Sequence, residues 1–265
     1  MENSTDNSMD NALQFERHGD CGIITFNRPE SRNALTFEMY ESLAKICETI
    51  LDQSLDIRSL IITGAGEKAF AAGTDIRGFK DFRDETDALN YERTMDRVLG
   101  VLESLPIPTI AAIRGACTGG GAAIAACCDL RIASADIKFG FPIARTLGNC
   151  LSVGNLSRLV ELLGAARTRD ILITSRLITN DEALAIGLIN ESVVDPLSRA
   201  RELADQLNFH APLTIAATKE GLRRLREHAA NVEGDDLIIQ CYTSNDFREG
   251  MDAFLNKRKP VWKGA

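Results

Sequence analysis

Short apolar runs broken by turn residues fill the first half of the chain, and apolar positions at helical spacing fill the second. Leu13 to Arg17 and Cys21 to Phe26 predict two strands around a turn at His18-Gly19-Asp20. A turn-rich loop, Asn27 to Asn33, follows and carries Arg28 and Arg32. Thr36 is placed to cap a helix with Met39, Leu43, Ile46, Cys47 and Ile50 on its apolar stripe. Ser59 to Thr63 predicts a short buried strand that leaves through Gly64-Ala65-Gly66. Phe79 to Thr86 is a charged connection with aromatic residues and reads as a mobile lid. The helix after it ends near Leu105, ahead of Pro106 and Pro108.

The apolar strand Thr109 to Ile113 leads into Gly119, Gly120 and Gly121, then into a small-residue run, Ala122 to Cys128, that predicts a tightly packed helix. Leu130 to Ala133 predicts another strand. From Ser152 onward the pattern is helical: Val153 to Leu163, Ala166 to Thr174, Asp181 to Gly187, Leu197 to Phe209, Leu213 to Asn231 and Asp246 to Asn256. Thr179-Asn180-Asp181-Glu182 is a helix-start signal. Strands and helices that interleave early, with helices dominating late, predict an α/β core of repeated ββα turns and a helical C-terminal segment. The expected divisions are a disordered tail over 1–11, a core over 12–200 and the helical segment over 201–265.

Composition narrows the partners. With 265 residues, 45% of them hydrophobic and 26% charged, the chain can bury one sizeable core. A net charge of −8 argues against nucleic acid or an anionic membrane as the main partner. No apolar run reaches the roughly 18–20 residues that cross a bilayer. The first residues lack the charged-then-apolar pattern of a signal peptide. The seven cysteines mostly sit among apolar neighbours and show no zinc-type spacing, so a reducing, cytoplasmic setting and no metal are expected.

The candidate chemistry lies in the glycine turns. Gly64-Ala65-Gly66-Glu67-Lys68-Ala69 fits a dinucleotide fingerprint loosely, but no helix begins inside it and Gly73 interrupts soon after. No Gly-Lys-Ser or Gly-Lys-Thr occurs, so there is no P-loop. Ala72-Gly73-Thr74 and Gly119-Gly120-Gly121 each follow a buried strand, and each can present an N–H. Two such donors converging on one oxygen make an oxyanion hole. The same glycines also suit tight turns and close packing, and the residues alone leave both readings open.

The chain resembles the crotonase (enoyl-CoA hydratase/isomerase) superfamily. The resemblance rests on Phe26-Asn27-Arg28-Pro29, Arg32-Asn33-Ala34-Leu35, Ala69 to Ile76, Gly115 with Gly119 to Gly121, and Cys128-Asp129. It continues through Phe139-Gly140, Leu163-Gly164, Ala183 to Ile189, Glu249-Gly250-Met251, Ala253-Phe254 and Lys257 to Pro260. It implies a spiral of ββα units with a helical C-terminal trimerisation segment, in a homotrimer or a dimer of trimers. It implies an acyl thioester of coenzyme A as substrate, coenzyme A entering only as part of it, with no permanent cofactor. By position, the hole would be the N–H groups of Thr74 and Gly120. Ala72, Asp75, Ile76 and Arg77 would line the pantetheine and adenine path, Arg28 would flank it, and Phe254 and Lys257 would reach the adenosine end.

The sequence departs from the family where hydratases keep two acid–base glutamates. By resemblance those positions are Ala123 and Ile143, and neither side chain carries a proton. Standard hydration is therefore not expected, nor, since the resemblance implies that isomerases usually keep the second of these glutamates, is ordinary double-bond isomerisation; decarboxylation, C–C cleavage, thioester hydrolysis or silent binding of a CoA thioester stay open. The polar groups left nearby are Arg145, Thr146, Asn149, Cys150 and Ser152. Cys150 reads either as a nucleophile or as a buried inert thiol, with no histidine beside it in the sequence. Arg145 reads either as a carboxylate binder or as half of a surface pair. Asp75 reads as a cap for the turn after Thr74, and Asp81, Asp84, Glu85 and Asp87 sit in or beside the lid.

Overall fold

The computed structural model describes residues 12–229 and 234–263; the tail expected over 1–11 lies outside them. β1 (Leu13–His18) and β2 (Cys21–Phe26) form an antiparallel hairpin. α1 (Phe37–Leu51) starts from Thr36, whose hydroxyl accepts the Met39 N–H at 3.3 Å. Three ββα turns follow. The first is β3 (Ser59–Gly64), β4 (Ala69–Ala71) and α2 (Glu85–Glu103), and the second is β5 (Thr109–Ile113), β6 (Ala116–Thr118) and α3 (Gly120–Cys127). The third is β7 (Leu130–Ala133), β8 (Lys138–Gly140), α4 (Ile143–Thr146) and α5 (Val153–Thr174). Then come β9 (Ile178–Thr179), α6 (Asn180–Ala185), β10 (Glu191–Ser192), α7 (Pro196–Leu207), α8 (Pro212–Ala229), α9 (Asp235–Tyr242) and α10 (Asn245–Leu255).

Each turn sends its first strand to one sheet and its second to another. The large sheet has the order β1-β2-β3-β5-β7-β10 and the small one β4-β6-β8-β9. Pairing is parallel except at β1–β2 and β8–β9. A parallel sheet covered on both faces needs apolar side chains on both. Ile24, Leu60 and Ile62 accordingly pack with Leu43 of α1 and Leu102 of α2, while Ile23, Ile61 and Ile110 pack against Ala200 and Ala204 of α7. The division expected after residue 200 falls inside α7, which belongs to the core by this packing.

The sequence pattern missed β4, β6 and β8, because three residues are too few to show alternation. It also missed α9, which buries only Ile238 and Tyr242, one turn apart. The gap expected between two helices at Leu163 and Ala166 is a break in α5, with Gly164 at φ 75° and ψ 154°. α6 begins at Asn180, with no side-chain cap from Thr179. The helix expected to run to Asn231 is described as far as Ala229.

The connection read as a mobile lid is packed instead. It contains a 3-10 turn, Ile76–Asp81, and buries Phe79 edge-on against Phe82 and Tyr91, each 5.0 Å away between ring centres. Asp84 caps α2 by accepting the Thr86 N–H at 2.9 Å, and Asp87 accepts the Arg83 N–H at 2.8 Å. Both carboxylates are thus engaged by the backbone.

Candidate active site

β4 and β6 are parallel neighbours in the small sheet, so their C-terminal ends emerge side by side. β4 runs into Ala72-Gly73-Thr74 and β6 into Gly119, where α3 begins. Gly73 has φ 108° and Gly119 φ 53°, backbone shapes that favour glycine. A β-carbon on Gly119 would stand 3.3 Å from Gly73 Cα, and one on Gly73 would stand 3.9 Å from Gly120 N. The two turns therefore face each other at van der Waals contact.

The Arg28 loop fixes the first turn. The Ala72 N–H donates to Arg32 O at 3.0 Å, Leu35 N–H to Gly73 O at 2.9 Å, and Asp75 N–H to Leu35 O at 2.7 Å. These bonds engage the Ala72 and Asp75 N–H groups and the Gly73 carbonyl, and leave the Thr74 N–H without a backbone acceptor among the described residues. The Gly120 N–H belongs to the first turn of α3, where helix geometry provides no partner. Asn33 locks the loop itself. Fully buried, it accepts the Arg28 N–H at 3.0 Å and donates to Ala65 O at 3.0 Å and Ala69 O at 2.8 Å.

Asp75 ties the exit of the turn. It accepts the Arg77 N–H at 3.2 Å, the Arg77 guanidinium at 2.9 and 2.5 Å, and Arg28 Nη1 at 3.1 Å. The bond from the Arg77 side chain is the main reason its carboxyl is held down at about 2. Arg28 Nη1 also donates to Ala34 O at 2.5 Å. Arg28, Asp75 and Arg77 thus form one ion cluster below the turn.

A cavity of about 160 Å³ opens at the facing turns. Ala72, Thr74, Ile76, Gly120 and Phe254 line it, as do Ala123 and Ile143. Thr74 Oγ1 lies 2.9 Å from both the Tyr40 and the Tyr91 hydroxyls. Cys150 is outside the lining and points its thiol at Leu237 O, 3.4 Å away. Its pKa is pushed up, first by its hydrogen bond with Cys241 and then by burial, whereas that bond holds Cys241 down at about 7. Arg145 lies exposed on α4, and Lys257 lies exposed just past α10 at φ 53°. Neither reaches the cavity wall.

One wall residue escaped the sequence reading. Glu92 of α2 is only 6% exposed and lines the cavity. Its Oε1 accepts the Tyr242 hydroxyl at 2.6 Å, and the Tyr242 oxygen accepts Asn149 Nδ2 at 3.0 Å. Burial pushes the Glu92 carboxyl up to about 7, against the lowering effect of the Tyr242 bond and the Ser152 backbone amide. The available signal was a lone carboxylate on the buried stripe Ala88, Glu92, Met95, Leu99. Among the described residues no group of His, Cys, Asp and Glu is placed to hold a metal ion, and no helix is long and apolar enough to cross a membrane.

The fold and the facing glycine turns define a two-sheet ββα spiral with a cavity at the ends of β4 and β6. The model of the enoyl-CoA hydratase/isomerase family matches residues 16–265, and the chain belongs to that family. It is 33% identical over 255 residues to a short-chain-enoyl-CoA hydratase of Clostridium acetobutylicum, covering 94% of this chain and 96% of the relative. Among solved structures it is similar to an enoyl-CoA hydratase/carnithine racemase of Magnetospirillum magneticum, with TM-score 0.77, 35% identity and 97% of each chain covered. It is also similar to a methylmalonyl-CoA decarboxylase in complex with 2-nitronate-propionyl-CoA, with TM-score 0.83 and 27% identity over 96% of this chain and 99% of that one. The fold is the crotonase fold.

Proposed function

We propose that the protein acts on an acyl thioester of coenzyme A, holding the thioester oxygen between the N–H groups of Thr74 and Gly120 while an enolate forms. One observation carries the reading: two amides without backbone acceptors among the described residues stand at facing glycine turns over a largely apolar cavity. Donors aimed at developing charge in a water-poor site contribute about 10²–10³ each in rate. Ala72, Ile76 and Arg77 flank the pantetheine path, with Arg28 and Asp75 holding its floor. Phe254 closes the acyl cavity from α10, and Lys257 offers a cation at the phosphate end. Coenzyme A enters with the substrate, and no permanent cofactor takes part.

The chemistry differs from two-glutamate hydration. Ala123 and Ile143 line the cavity with alkyl groups, so neither activates water. The helical segment after residue 200 forms the oligomer contact of a homotrimer or a dimer of trimers. Exposed Leu213, Leu222 and Leu225 on α8 support that part of the reading. A second reading, a catalytically silent CoA-thioester binder, draws on the same pair of alkyl side chains.

Two measurements separate the readings. Crotonyl-CoA should keep its enoyl-thioester absorbance in the presence of the protein, while calorimetry detects its binding. Gly120→Pro removes the amide donor and should abolish any acyl-CoA turnover. A folded Gly120→Pro protein that still turns over substrate would sink the assignment of that N–H. Binding without turnover across enoyl, β-keto and malonyl-type thioesters would favour the silent binder.

A further inference from the structure

Glu92 is a carboxyl in an apolar wall, and the cavity it lines is the one at which Thr74 and Gly120 present their amides. α2 brings both functions to the site from adjacent positions. Tyr91 supports the Thr74 hydroxyl at 2.9 Å, and Glu92 faces the acyl space. The far side of Glu92 is fixed by Tyr242 of α9 and, through it, by Asn149. Tyr242 has a single hydroxyl proton, and it goes to Glu92; Asn149 Nδ2 supplies the bond to the tyrosine oxygen. That leaves Asn149 Oδ1 buried without a partner in a residue that lines the same cavity. The wall thus carries an oriented carboxyl and a vacant acceptor, and Glu92 is the one carboxyl among its lining residues.

We propose that Glu92 is the acid–base residue of this enzyme, carrying one proton between two carbons of the acyl chain and so migrating a double bond from the 3,4 to the 2,3 position of an enoyl thioester. The inference rests on the carbonyl site formed by Thr74 and Gly120. The Glu92 carboxylate takes a proton from C2, and the C–H electron pair becomes the C1–C2 double bond as charge moves onto the thioester oxygen. The enolate then collapses. The C1–C2 pair shifts to C2–C3, the C3–C4 pair takes the proton back from the Glu92 carboxylic acid at C4, and the thioester carbonyl is restored. Nothing is consumed beyond the substrate, and a single carboxyl suffices. Water addition needs a second group, which Ala123 and Ile143 do not supply.

The setting of Glu92 suits a group that must both accept and return a proton near neutrality. The charges coupled to it are Asp96 on its own helix, Tyr40, Tyr91, Cys150 and Tyr242. Asp96 adds to the upward push of burial and is itself paired with Arg158, 3.2 Å away. Tyr242 and Asn149 are positioning residues; they touch Glu92 directly and through one bond, respectively.

The test follows trans-3-hexenoyl-CoA in D2O with the full-length protein. Conjugated enoyl-thioester absorbance reports migration, and mass spectrometry reports deuterium at C2 and C4. The wild type should migrate the double bond, with a rate that rises with pH through about 7, and deuterium enters only as far as the Glu92 proton exchanges with solvent before it is returned. Glu92→Gln should lose at least about 100-fold in migration while the protein stays folded and its thioester affinity stays close to wild type. Glu92→Asp, which keeps the carboxyl but shortens it, should recover part of the rate. A Glu92→Gln protein within about threefold of wild type would overturn the proposal, as would parallel loss of affinity and rate, which marks a structural role. No double-bond migration by the wild type with the thioester bound would also overturn it. Failure of the carbonyl site is read separately, as migration that survives in Gly120→Pro.

Discussion

A β-carbon on Gly120 would stand 1.8 Å from the Tyr40 hydroxyl oxygen. Tyr40 is buried in α1, and its hydroxyl also meets Thr74 Oγ1, so it packs the two amide-bearing turns from beneath. Gly120→Ala should therefore displace Tyr40, cost about 1–3 kcal/mol of stability and abolish turnover. In a Tyr40→Phe background the closest obstacle moves out to about 3.1 Å, the ring carbon that bore the hydroxyl. The same glycine change should then cost less. Thermal unfolding of the four proteins in that cycle decides it, and an unchanged cost would show that the hydroxyl is not the obstacle.

Asn33 makes three hydrogen bonds with no exposure to water. Asn33→Ala leaves the Arg28 amide and two carbonyls unpaired and should cost about 2–4 kcal/mol. It should also lower turnover, because the loop that engages the amides around Thr74 loses its anchor. Urea unfolding and acyl-CoA kinetics on one preparation separate the two effects.

Asp75 has its carboxyl held at about 2, below the ordinary 3.8. A depressed folded pKa adds stability above the unfolded value, and that stability disappears as pH falls through the folded one. Asp75→Asn should thus lose about 2 kcal/mol relative to wild type at pH 7, with the gap closing between pH 4 and pH 2. A gap that does not depend on pH would mean that the ion cluster contributes nothing.

Glu92 has the opposite sign. Its carboxyl is raised from 4.5 to about 7, so the folded state favours the protonated form. Its contribution is greatest below about pH 4.5 and is lost as pH rises through 7. Glu92→Gln removes this dependence and should gain on wild type by on the order of 3 kcal/mol between pH 4.5 and pH 8. Parallel pH–stability curves for the two proteins would contradict the raised pKa.

Local sequence determined a good deal about this protein. Alternation and turn residues marked the hairpin at Gly19, the Thr36 cap and the buried strands β3, β5 and β7, because their periodicity is intrinsic to short segments. The motifs around Gly73 and Gly119 pointed to facing amide donors, since positive φ and close backbone approach both call for glycine. By the family resemblance Ala123 and Ile143 stand where hydratases keep acids, and their identity shows that neither side chain carries a proton. The position of Glu92 was not legible in this way. Its chemistry depends on Tyr242 and Asn149, which are 150 and 57 residues further along the chain, and on burial that only packing creates. The fate of Cys150 and of the connection after Thr74 was decided in the same way. α9 covers the thiol, and the Phe79 ring docks among Phe82, Tyr91 and Tyr242. Periodicity reports which face of a segment is apolar, whereas a pKa and a cavity wall depend on which distant segments that face meets.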